Sequence, residues 1–160
     1  MKKIVAIVLL AALLMFAGAQ AQEGVPSISD NLFSAAKEAL SLLFYGEFAR
    51  VAEVLPFSGA APDAEEWSKF AQSFSTLNSG TVQREISVAF WTGSAWYLAV
   101  PVSEPNNGAV ETLVLRSDDG ASFCGYKCAD WASVQSGYEN SAYVQWNREY
   151  VAGTPVVIAD

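Results

Sequence analysis

The sequence predicts an α+β domain in which amino-terminal helices pack on an antiparallel sheet, and three observations carry that expectation. Apolar residues recur at helical spacing from Leu32 to Leu77. After Gly80 the pattern changes to alternation. The alternating runs are divided by turn-forming clusters, Thr92-Gly93-Ser94, Pro105-Asn106-Asn107-Gly108 and Asp118-Asp119-Gly120. Helices followed by a meander of strands make an α+β unit whose helices cover one sheet face.

The first 21 residues stand apart. Met1-Lys2-Lys3 is a basic start, Ile4 to Phe16 is unbroken apolar sequence, and Ala19-Gln20-Ala21 supplies the small residues of a cleavage site. That pattern is a secretory signal peptide, too short for a bilayer span of about 20 apolar residues. Residues 1–21 are therefore expected to be removed near Ala21, with a secreted or periplasmic product and no stable membrane anchor. Residues 22–29, with Gly24 and Pro26, are expected to be a flexible lead-in, and 30–160 a single α+β domain.

Each element follows from a local pattern. Ser29 or Asp30 can cap a helix carrying Leu32, Phe33, Ala36, Ala39, Leu40, Leu43 and Phe44 on one stripe. Gly46 breaks it, and Phe48, Val51, Ala52 and Leu55 define a second helix stopped by Pro56. Asp63 and Glu66 form a capping box for a third helix, whose Trp67, Phe70, Phe74 and Leu77 extend it to about Leu77. Strands are expected over Val82–Phe90, Trp96–Val102 and Glu111–Arg116, with a fourth beyond the Asp-Asp-Gly turn. Trp131, Val134, Tyr138 and Trp146 fit helical spacing, but Ser136-Gly137 and the β-formers from Tyr143 favour a final strand near Tyr143–Val151, closing a sheet edge.

Composition excludes whole classes of chemistry. The chain of 160 residues has no histidine, so histidine-based acid–base pairs, Ser-His-Asp and Cys-His nucleophile systems and histidine-ligated zinc are ruled out. Its formal charge of −8 becomes −10 once Lys2 and Lys3 are removed, which disfavours nucleic acid and anionic membranes as partners. No metal or cofactor motif is present. Asp118-Asp119-Gly120 lacks the spaced oxygen ligands of a calcium loop and reads as turn chemistry.

The order of a first helix, Leu43-Phe44-Tyr45-Gly46-Glu47-Phe48 with Val51 and Val54 following, an acid-capped helix bearing Trp67, and strands ending in an Asp-Asp-Gly hairpin resembles the nuclear transport factor 2-like superfamily of cystatin-like α+β folds. It is most similar to small secreted bacterial members. The resemblance spans about Asp30 to Lys127 and implies a curved sheet wrapped around the first helix as a cone with an apolar cavity. Enzymes of that superfamily use a carboxylate or an Asp-His pair inside the cone. No histidine matches the pair here and no catalytic carboxylate is assigned.

Cys124-Gly125-Tyr126-Lys127-Cys128 is the sharpest local feature. In a secreted chain with two cysteines a disulfide between Cys124 and Cys128 is expected, with two free thiols or a redox pair as alternatives. Four residues of straight strand span about 13 Å, so a bridge requires a turn, for which Gly125 is suited. Arg84, Glu85, Glu111 and Arg116 are charged residues within strands, candidates for a ligand site or simply the exposed sheet face. Trp91, Trp96 and Tyr97 cluster in one hairpin and are either core or a stacking surface.

Together these features point to a secreted, non-enzymatic binding or accessory domain, with a small molecule or a protein as partner. The alternative is a cavity enzyme using Glu85 or Glu111 as a buried base. A homodimer through the open sheet face is a third, structural reading.

Overall fold

A computed structural model describes residues 24–75, 81–82, 86–103 and 110–148. Helix α1 runs Asp30–Tyr45 from an extended Ser29. It ends where Gly46 turns left-handed at φ 74°, letting the Gly46 amide donate to Leu43 and the Glu47 amide to Leu42 at 3.2 and 2.8 Å. Glycine takes that conformation without a Cβ penalty, which is why the helix breaks there. Helix α2 is Phe48–Val54 and α3 is Ala64–Ala71. The α3 capping box forms in both directions, Glu66 N–H to Asp63 Oδ1 and Asp63 N–H to Glu66 Oε2, each 2.9 Å. The expected run to Leu77 is corrected. After Ala71 the amides of Gln72, Ser73 and Phe74 bond three residues back, a tightening turn that still buries Phe74.

The sheet comprises β1 (Thr81–Val82), β2 (Ile86–Trp91), β3 (Trp96–Ser103), β4 (Val110–Ser117), β5 (Gly125–Asp130) and β6 (Val144–Arg148). All pairings are antiparallel in the order β5-β4-β3-β2-β6, with β1 also on β3. The single strand expected over Val82–Phe90 is thus two segments. β3 pairs with β1 through Ser103 and Val102 and with β2 from Ala99 onward. Pro101, which has no amide to donate, falls in the gap. Of the final strand expected near Tyr143–Val151, Val144–Arg148 forms and pairs with β2, while residues 149–151 lie outside the described residues; it is preceded by helix α4 (Trp131–Glu139), which the β-favouring composition of that region had obscured.

Registry assigns the side chains to two faces. Leu98, Val100, Val102, Leu113 and Leu115 face inward and pack with Phe33, Ala36, Leu40, Leu43, Val51 and Trp67 in one core, so the space between α1 and the sheet is occupied by buried side chains. The opposite face is apolar too: Val88, Phe90, Ala99 and Val114 are buried there against Val134 of α4, with Tyr97, Ala129, Tyr138 and Trp146 around them. Both faces are covered, not one.

Two sets of contacts close the sheet end at the β4–β5 turn. Ser58 N–H donates to Phe123 at 2.9 Å and Phe123 N–H to Pro56 at 2.7 Å, covering the edge where β5 begins. The lead-in crosses the same β4–β5 turn: Trp96 Nε1 donates to the Pro26 carbonyl at 2.7 Å and Ser29 N–H to Gly120 at 2.8 Å.

Candidate functional site

A slot of about 260 Å³ lies between the outer sheet face and α4. Its floor follows from the register. Phe90 opposes Tyr97, Val114 opposes Lys127, and Ala129 lies two residues further along β5 on the same face as Lys127. Phe90 and Tyr97 stack at 5.8 Å with 19° between their planes. The roof is Ser133, Val134 and Gly137 of α4, and Thr92 stands at the hairpin end.

Four local features hold the roof. Asp130 caps α4, accepting from Ser133 N–H and Oγ at 2.8 Å each. Gly137 sits so close to the sheet that a Cβ there would lie 2.7 Å from two carbons of the Phe90 ring. Tyr138 meets Trp146 of β6 edge-on at 5.1 Å, and the Ser141 hydroxyl lies 2.6 Å from the Trp91 carbonyl.

The slot's polar groups are few. The Lys127 ammonium is 5.7 Å from the Tyr97 ring centroid, over its face. The Thr92 hydroxyl donates to the Ala95 carbonyl at 3.2 Å. Among the described residues no carboxylate lines the slot. Among the described residues no group of three or more His, Cys, Asp or Glu side chains could hold a metal ion, and no helix is long and apolar enough to cross a membrane.

The residues singled out from sequence are distributed over both faces. Tyr97 lines the slot. Trp91 and Trp96 pair across the hairpin on the inward face, with Trp96 buried, so the three aromatics do not make one platform. Arg116 opposes Tyr97 on the outer face but is exposed and held by Asp118, Nη2 to Oδ1 at 2.9 Å, which raises the guanidinium pKa. Glu111 is inward, opposite Val102, and accepts from the Ser75 hydroxyl at 3.0 Å, away from the slot. Arg84 and Glu85 lie outside the described residues.

The disulfide is corrected: Cys124 and Cys128 are both free. The chain does not turn at Gly125, which instead starts β5 and pairs with Arg116, and the strand continues in register to Asp130. Residues four apart on such a strand are separated by about 13 Å, beyond disulfide reach. Cys128 opposes Leu113 on the core side, where burial pushes its thiol up to about 11. Desolvation also raises Cys124. Neither is an activated thiolate.

Lys127, Ala129, Ser133, Val134 and Gly137 were not proposed as site residues from sequence. The available signal was the helical spacing of Trp131, Val134 and Tyr138 beside a sheet whose strands are apolar on both parities.

These features define an α+β domain with a small apolar slot on the sheet face opposite its main core. Compared with protein-family models, curated proteins and solved structures, the chain matches none of them.

Proposed function

We propose that the chain is a secreted binding domain, not an enzyme, and that it holds a small aromatic or apolar molecule in the slot between the outer sheet face and α4. The observation that carries this reading is the slot itself, floored by Phe90, Tyr97, Val114 and Ala129 and, among the described residues, lined by no carboxylate. Export is supported by the basic start, apolar run and Ala19-Gln20-Ala21. Kinship with the nuclear transport factor 2-like superfamily is supported by the order of helices, capping box and strands. On this reading the ligand lies outside the cone interior that the resemblance implies, on the other side of the sheet. A net charge of −10 for residues 22–160 favours a small-molecule partner over nucleic acid.

The volume sets the ligand size. At about 260 Å³ the slot lies just below the roughly 300–1,000 Å³ of typical small-molecule pockets, which suits a one- or two-ring body. At about 0.4 kcal/mol per heavy atom a two-ring amide gains roughly 5 kcal/mol, a Kd of about 0.2 mM. Calorimetric titration of residues 22–160 with 2-naphthamide tests the reading. Saturable binding that Ala129→Phe weakens by about tenfold or more supports it, because the added ring fills the floor. No binding, or binding indifferent to Ala129→Phe with the fold intact by circular dichroism, removes the slot as the site.

A further inference from the structure

We infer that the slot selects small apolar or aromatic molecules that carry a single negative charge, a carboxylate or its equivalent, and that Lys127 supplies the complementary charge. This inference rests on the binding reading above. Lys127 belongs to the slot lining, on the same face of β5 as Ala129 and directly opposite Val114 of β4. Its ammonium is positioned over the Tyr97 ring, which in turn stacks on Phe90, so the cation borders the aromatic floor.

The surrounding charges leave that cation available. Arg116, another cation on this face, opposes Tyr97 and is engaged by Asp118 through Nη2 and Nε at 2.9 and 3.0 Å. Asp130, three residues beyond Lys127, lies on the opposite strand parity and has both carboxylate oxygens on Ser133. Among the described residues Lys127 makes no ion pair, and its recorded contact is with the Tyr97 ring. A cation bordering an apolar slot and paired with no acid among the described residues repels cationic ligands and favours anionic ones, because a carboxylate regains a charge-assisted partner as it leaves water. The overall negative charge limits the preference to one anionic group, since each further charge meets the field of an acidic protein.

The probes are 2-naphthoate and its uncharged isostere 2-naphthamide, titrated calorimetrically at one ionic strength into wild type, Lys127→Gln and Lys127→Arg. Wild type is expected to prefer naphthoate by about fivefold or more. Lys127→Gln is expected to abolish the preference by lowering naphthoate affinity more than naphthamide affinity, and Lys127→Arg to keep it. Equal binding of the two probes by wild type overturns the inference and leaves the binding reading intact. So does a preference that survives Lys127→Gln, or a loss shared equally by both probes. Absence of binding by either probe overturns both readings together.

Discussion

Among the described glycines, Gly120 is the one where an added Cβ meets the closest obstacle. A Cβ there would lie 2.2 Å from the Ser27 carbonyl oxygen, and the φ of 72° is one that side chains other than glycine rarely adopt. Gly120→Ala is expected to cost at least about 2 kcal/mol, read as a lowered thermal midpoint, because strain and displacement of the docked lead-in add. Its neighbour Asp119 accepts from the Ala121 and Ser122 amides at 2.8 Å each and from the Ser122 hydroxyl at 2.7 Å. These bonds stabilise the carboxylate and hold its pKa well below the usual range. Since the folded value lies below the unfolded one, this contribution is complete above about pH 4 and is lost as pH falls further. The side chain is exposed, so solvent screening keeps the effect small. Asp119→Asn should therefore flatten the acid limb of the stability–pH curve without moving the plateau above pH 6 by more than about 1 kcal/mol. A different balance holds at Thr112, whose hydroxyl is fully buried with no hydrogen-bond partner among the described residues. Thr112→Val keeps the shape and removes an unpaired polar atom, so it should raise denaturant stability by up to about 1 kcal/mol. The free thiols supply a fourth measurement. In the native protein at pH 8, exposed Cys124 should react with a thiol reagent ahead of Cys128, whose thiol is raised to about 11 and whose reaction awaits unfolding.

Among the elements, α4 decides whether a site exists. Gly137→Ala gains about 1 kcal/mol of helix propensity but drives a methyl against the Phe90 ring, and overpacking costs about 1–3 kcal/mol. The two nearly offset in stability, but the ring has to yield toward the slot. The expected outcome is a thermal midpoint within a few degrees of wild type and a roughly tenfold loss of naphthamide affinity. Elements with local signatures were legible in the sequence: the α3 capping box, the Gly46 break between α1 and α2, and the Asp118-Asp119-Gly120 turn all form as read. Where reading failed, a long-range contact had overridden the local pattern. Phe74 continues the helical stripe of α3, yet it reaches the core from a turn. Ser136-Gly137 looks like a break, yet the glycine is in mid-helix because the sheet leaves no room for a side chain. Cys124 and Cys128 suggested a staple, but Gly125 starts a ladder and makes no turn.

At the scale of the molecule, the distinction that matters is between a sheet covered on one face and a sheet covered on both. Ile86–Phe90 is buried at every position, and so is Thr112–Leu115. A strand with one solvated face alternates between apolar and polar residues, whereas one buried on both faces reads as nearly continuous apolar sequence. Ser87-Val88-Ala89-Phe90 and Leu98-Ala99-Val100 are of the second kind, so a second covering layer was implicit in the strands. That layer is α4, and the slot is the space it leaves where it does not fill the sheet's outer face. The site residues were less legible than the fold because their proximity depends on register across three strands and a helix. Among the described residues proposed as site candidates from sequence, only Tyr97 lies in the slot, while Glu111 and Trp96 fall on the far side of the sheet. The most direct measurement is the nuclear Overhauser contact between the Gly137 α-protons and the Phe90 ring in residues 22–160. The account expects strong cross-peaks, with the glycine protons shifted upfield by the ring; their absence, with residues 131–139 showing extended-strand connectivities, would contradict it.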